Sequence, residues 1–223
     1  MTAPGTPVDD LGILAGDHVV LADGLEHHEM YTMTGLLSLL IHPADGNEPA
    51  VVMCGGAMGG LLGGGGLYHD LGNRLAAIDI AAARVSYRRP NDIGRCTHDV
   101  LATMQLLARR GARRFVVIGH SFGGAVAIQS AASMNADIVP GVVTLATQSA
   151  GCEPVETLAD RRLLFIHGTS DQILPHASSE MVRMLAGHGE LVLLPGEDHL
   201  LKAAKDDIAE RLMTWIPEVL RAT

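Results

Sequence analysis

RFVVIGHSFGGAVAIQSAAS, residues 114–133, sets one serine between two incompatible kinds of local structure. Residues 115–118 form a short apolar run rich in β-branched side chains and read as a buried strand, whereas residues 125–132 are small and helix-forming. The chain must reverse between them within about four residues. Gly119, Gly123 and Gly124 permit this, because glycine accepts backbone angles and close approaches that a side chain forbids. Ser121 stands at the apex, where a turn this tight concentrates strain.

The composition bounds what that serine can serve. A chain of 223 residues, 48% of them apolar, suffices for one α/β domain over residues 17–223, preceded by a flexible lead-in at 1–16. A formal charge of −9 repels nucleic acid, and the arginines at 109, 110, 113 and 114 read as a helix C-terminal cluster that opposes the helix dipole. Cys54, Cys96 and Cys152 are odd in number and widely spaced, which suggests neither a disulfide framework nor a zinc knuckle and fits a reducing compartment. The opening MTAPGTPVDDLGILAGD has no basic region and no long apolar run, so a cytoplasmic protein is expected. Residues 50–68 are uncharged and long enough on paper to span a bilayer. Their glycines would each cost a helix about 1 kcal/mol relative to alanine, so a strand at 50–53 running into a flexible loop is expected, with no membrane contact.

Asp23-Gly24 and Asp45-Gly46 lie beside apolar stretches and signal antiparallel turns, with strands near residues 18–21 and 36–41. Beyond Val51 strands and helices alternate. Helices are expected at 71–82, 92–109, 125–132, 179–185 and 206–220, and strands at 84–87, 115–118, 142–146, 163–167 and 191–194. Such alternation marks crossover connections on a mostly parallel sheet with helices on both faces. Residues 147–162 are too few to fold as a lid, so the site they border should be open.

In a sheet of this kind ligands bind beyond the carboxyl ends of the strands, which is where Ser121 sits. The amide of Phe122 opens the following helix and can face developing negative charge, making half of an oxyanion hole. The second donor is expected from the glycine-rich junction after residue 53, at Gly56 with Ala57 next, while Gly63 to Gly66 read as a merely mobile loop. A serine needs a base to take its proton and an acid to hold that base. The strand at 163–167 runs into GTSDQILP, which carries Asp171, and the strand at 191–194 runs into PGEDHLL, which carries His199.

The motifs GHSFG at 119–123, HGTSD at 167–171 and GEDH at 196–199, in that order, resemble the α/β-hydrolase superfamily, particularly its small lidless esterases and dienelactone-hydrolase-like members. The resemblance runs from about residue 18 onward. It implies the α/β-hydrolase fold without a cap domain, antiparallel strands at the N-terminal edge, Ser121 as nucleophile, His199 as base and Asp171 as acid, and neither cofactor nor metal. It further implies hydrolysis of an ester-type bond in a small soluble acyl substrate, with thioesterase, acyltransferase and catalytically silent binding as alternatives on the same residues. Two positions depart from the pattern: Cys54-Gly55 stands where many relatives have His-Gly, and dienelactone hydrolases proper use cysteine where this chain has Ser121.

Other residues compete for roles. His120 adjoins the nucleophile but should point away from it, and His167 should pack or hydrogen-bond so as to shape the acid loop. His176 and His188 read as surface residues. His18, His27 and His28 lack a third ligand at fixed spacing. Cys54 reads as a small buried hydrophobe, and Glu153 and Asp160 are the next candidates for the acid.

Overall fold

A computed structural model of the chain describes residues 6–45 and 48–222. Nine strands form one sheet: β1 Ile13–Val20, β2 Glu26–Thr32, β3 Gly35–His42, β4 Pro49–Cys54, β5 Ala81–Ser86, β6 Arg114–His120, β7 Gly141–Leu145, β8 Arg162–Gly168 and β9 Glu190–Leu194. Five α-helices accompany them among the described residues: α1 Leu67–Ala76, α2 Ile93–Arg109, α3 Phe122–Ala132, α4 Ala177–Ala186 and α5 Lys205–Arg221. The spatial order is β1-β2-β3-β5-β4-β6-β7-β8-β9. β1, β2, β3 and β5 pair antiparallel in turn, and from β5 through β9 every pairing is parallel.

Alternation along the central strands feeds two apolar layers. Val52 and Val117, which are register partners, lie in the layer shared with α2 and α3, while Val51 and Val116 lie in the layer shared with α1 and α5. Because both faces are covered, these strands are apolar almost throughout, as parallel strands between helices must be. Helix ends follow local chemistry. The Asp92 side chain accepts from the Arg95 amide at 3.1 Å and caps α2, a contact whose loss typically costs about 1 kcal/mol. α4 stops at Gly187, whose φ of 73° lies in the left-handed region.

β4 lies between β5 and β6, so the chain winds outward in opposite directions on either side of it. The loops leaving β4 and β6 thus diverge beside one another, opening a crevice at the topological switch point. This places the junction after Cys54 next to Ser121.

Several expectations are corrected. The lead-in ends earlier than residue 16, since Val8 and Leu11 are buried against the core and β1 already begins at Ile13. β2 was not anticipated: Asp23-Gly24 does form the turn, with φ of 64° and 77°, but it leads directly into a polar strand paired with β1. The expected turn at Asp45-Gly46 lies partly outside the described residues. The helix expected at 71–82 stops at Ala76, and residues 81 and 82 belong to β5. Residues 147–162, too few for a lid as expected, hold a short 3-10 turn, Glu153–Thr157, with Cys152, Val155 and Leu158 buried. Among the described residues no helix is long and apolar enough to cross a membrane, and residues 50–68 divide into β4, a loop and the start of α1.

Candidate active site

Ser121 follows the last residue of β6 and precedes the first of α3, with φ 58° and ψ −123°. A non-glycine residue in such a conformation stores about 1–3 kcal/mol of strain and persists only where its surroundings enforce it. The enforcement is visible. The Ser121 amide donates to Leu145 O at 2.8 Å, and its carbonyl accepts from the Gly124 amide at 3.0 Å. A Cβ on Gly119 would overlap the Gly123 carbonyl, one on Gly123 the Gly55 carbonyl, and one on Gly124 the Thr147 hydroxyl. The three glycines are therefore required by contact with backbone and with a buried side chain.

Asp171 and His199 come together from two loops that are hydrogen-bonded to each other. The Thr169 amide donates to Leu194 O at 2.9 Å, the Ser170 amide to Glu197 O at 2.9 Å, and the Gly196 amide to Thr169 Oγ1 at 2.9 Å. Asp198 turns the loop that carries His199, its Oδ1 accepting from the Leu200 amide at 2.9 Å. His199 Nδ1 then lies 2.7 Å from Asp171 Oδ2, with the Asp171 side chain buried.

Every oxygen of that carboxylate is occupied. Oδ1 accepts from the amides of Ile173 at 2.8 Å and Leu174 at 2.9 Å, and Oδ2 also faces His167 Nε2 at 3.1 Å. Burial works against the charge, but the amide of Leu174, the His199 imidazole and the amide of Ile173 outweigh it, so the carboxyl stays below its ordinary pKa. His167 is the packed, loop-shaping residue the sequence suggested. Its Nδ1 meets Ser179 Oγ at 2.7 Å, its Nε2 also meets Leu174 O at 3.0 Å, and burial keeps its pKa low. With Nε2 facing only oxygen acceptors, that nitrogen carries the proton.

An imidazole held at Nδ1 by a carboxylate keeps Nε2 for a proton from elsewhere. Among the described residues, Ser121 makes no capping bond through its side chain and His199 bonds through Nδ1 alone, so hydroxyl and Nε2 are both uncommitted. The two loops meet through His120. Its Nε2 donates to the His199 carbonyl at 2.8 Å, with the rings 5.0 Å apart. Burial lowers the His120 pKa, so this ring is a neutral strut.

Opposite the serine, a Cβ built on Gly56 would lie 3.4 Å from Ser121 Cβ and 3.7 Å from Oγ, which puts the Gly56 backbone against the Ser121 side chain. The junction is held from behind by two buried phenols: Tyr68 donates to Cys54 O at 2.9 Å, and Tyr87 to Gly55 O at 3.0 Å. Tyr87 also meets Phe122 edge-on, with ring centroids 6.4 Å apart. Phe122 opens α3 directly after Ser121, and Gly56 lies against the same serine from the loop after β4. No spacing rule points to these tyrosines; only the turn of β5 and α1 onto β4 does.

Cys54 is fully buried and donates to Ile118 O at 3.3 Å, and burial pushes its thiol up to about 12. It packs as a small apolar residue. The reading of Gly63 to Gly66 as merely mobile is corrected: Gly63, Gly65 and Gly66 have positive φ, and a Cβ on Gly64 would lie 2.9 Å from both His120 Cδ2 and Leu200 O. This loop is a packed wall against His120 and Leu200. Glu153 and Asp160 are exposed and engaged locally, with Gly151 and Arg161 respectively, so the structure brings neither to His199. His176 lies beside Glu180, while His188 is half-buried and bridges the carbonyls of Ala186 and Arg161.

No protein-family model matches the sequence, and no curated protein matches it. Solved structures do. Est1E from Butyrivibrio proteoclasticus superposes with a TM-score of 0.72 at 14% identity, covering 93% of this chain and 100% of that one. A dienelactone hydrolase from Anabaena variabilis gives 0.70 at 17% identity over 93% and 99% of the two chains. An alpha-beta serine hydrolase homologue from Coxiella burnetii gives 0.70 at 16% identity over 88% and 98%. At such identities the likeness is one of architecture.

Proposed function

From an α/β-hydrolase fold with an Asp171–His199 pair beside a strained serine, we propose that this chain is a serine hydrolase cleaving an ester-type acyl bond in a small substrate. The observation that carries the reading is His199, fixed at Nδ1 by Asp171 and uncommitted at Nε2, on a loop tied to the residue before Ser121.

Ser121 Oγ attacks the acyl carbonyl while His199 Nε2 takes its proton, and Asp171 stabilises the imidazolium. The oxyanion is met by the amides of Phe122 and of Gly56 or Ala57. His199 then protonates the leaving group, and a water activated by the same ring releases the acid. The elbow glycines and the two phenols keep these donors from having to reorganise as charge develops.

The substrate reading rests on what surrounds the serine. Ser121 is half-buried, and the loops around it carry exposed apolar side chains: Met58 and Leu62 on the glycine loop, Ile173 on the acid loop and Leu200 on the base loop. Such a rim suits a short apolar acyl or alcohol group, and an open site favours water over an acyl acceptor that must exclude it. The test is reactivity with a fluorophosphonate, followed by hydrolysis of p-nitrophenyl esters of increasing chain length. Wild type should label and Ser121→Ala should not, with kcat falling by about 10⁴ to 10⁶. Short chains should be preferred with ordinary saturation. Equal labelling of both proteins would remove the nucleophile assignment, and a rate surge at the solubility limit of the ester would remove the substrate class.

A further inference from the structure

At the far edge of the sheet, three side chains converge that take no part in this chemistry. Successive residues of a strand alternate faces, so Glu26 and His28 share one face of β2 while His27 takes the other. His18 of β1 is the register partner of His28. The His18 and His28 rings stack with centroids 4.2 Å apart and planes 22° from parallel. Their Nε2 atoms approach one carboxylate oxygen, Glu26 Oε2, at 3.6 Å and 2.9 Å respectively. One donor atom from each of the three side chains lies within 4.8 Å of the other two.

We propose that His18, Glu26 and His28 form a binding site for one divalent transition-metal ion of the zinc, copper or nickel type, bridging β1 to β2. Tetrahedral coordination with bonds of about 2.0–2.2 Å sets neighbouring ligand atoms roughly 3.3 Å apart. The two observed separations lie on either side of that spacing, so small side-chain rotations close the site. His18 is exposed, which leaves the remaining coordination positions to water.

The surroundings select the kind of ion. Arg110, at the end of α2, donates to Glu26 Oε1 at 2.7 Å, which orients the carboxylate and leaves Oε2 turned toward the imidazoles. The same guanidinium offsets the only negative charge of the cluster. Calcium and magnesium need several oxygen ligands, so they are disfavoured, whereas two imidazoles and one carboxylate match borderline metals.

The ion would clip the hairpin and leave the hydrolytic chemistry alone. β6 lies four strands beyond β2, about 19 Å at roughly 4.8 Å per step. The sequence hid this site because Glu26 joins His18 only through strand register.

The experiment is calorimetric titration of the full chain, stripped of metal by dialysis against a chelator, with zinc chloride. Wild type should bind one equivalent. His18→Ala and His28→Ala should each weaken binding at least tenfold, while His27→Ala, which removes an imidazole from the opposite face where it meets Ser38 Oγ at 2.9 Å, should leave it unchanged. Circular dichroism confirms folding of each variant, and exposed His18 provides a substitution remote from the core. Absence of saturable binding, binding indifferent to both His18 and His28, or an equal loss in His27→Ala would each overturn the site.

Discussion

His120 Nε2 donates to the backbone carbonyl of His199 across 2.8 Å, so the residue before Ser121 holds the main chain of the proposed base. His120 touches no reacting atom in the proposed mechanism and acts by position. His120→Ala is expected to lower kcat by about 10- to 100-fold with little change in KM, because small misplacements of a base are costly. His120→Gln, whose amide can still donate, should recover much of the loss. Steady-state kinetics on a short ester checks this, and a change confined to KM would contradict it.

Asp171→Asn keeps the shape of the acid but favours the wrong tautomer of His199, so kcat should fall by roughly 10⁴ at neutral pH. Activity near that of wild type would place the acid elsewhere.

The same carboxyl links stability to acid. Its folded pKa lies below the ordinary 3.8, so its contribution is fully present above that value and is lost as pH falls through the lower folded value. Urea unfolding between pH 2 and 5 should show a shallower loss of stability with acid in Asp171→Asn than in wild type. Parallel curves would mean that this carboxyl does not carry the linkage.

Tyr87→Phe removes the donor to Gly55 O and leaves a buried carbonyl unpaired, which should cost about 1–3 kcal/mol in denaturant unfolding. If the phenol also positions the second oxyanion donor, kcat drops while binding of a substrate-like ester is preserved. A stability loss with unchanged kcat would restrict Tyr87 to a structural role.

Gly64→Ala separates a packed wall from a mobile loop. The added methyl carbon would press on His120 Cδ2 and Leu200 O, both at 2.9 Å, so a destabilisation of about 1–3 kcal/mol is expected. Thermal unfolding at or above the wild-type midpoint would show that the wall yields.

What the sequence revealed and what it concealed divide along physical lines. The elbow was legible because strand, glycines and helix lie within twenty residues and each demands the others. Asp171 and His199 were legible because each lies just past a clear apolar strand. The α1–β5 boundary was not. Residues 76–84 are alanine-rich and favour helix locally, yet Ala82 and Ala83 are fully buried in a strand between β3 and β4, where tertiary packing overrides propensity. β2 was missed because EHHEMYT lacks a clean apolar alternation, its partners being supplied by the sheet. Tyr68, Tyr87 and the His18 cluster were hidden because their contacts join distant segments.

The segment between β7 and β8 also fixes how this scaffold can be widened to larger substrates. Cys152, Val155 and Leu158 are anchored in the interior, and Gly151 is pressed against Ile93, so a grafted cap cannot replace the segment wholesale. It has to be spliced in at the exposed Ala150 or at Ala159 and Asp160, with the anchors left in place. New specificity would then come from an added roof while the floor beneath it stays as it is.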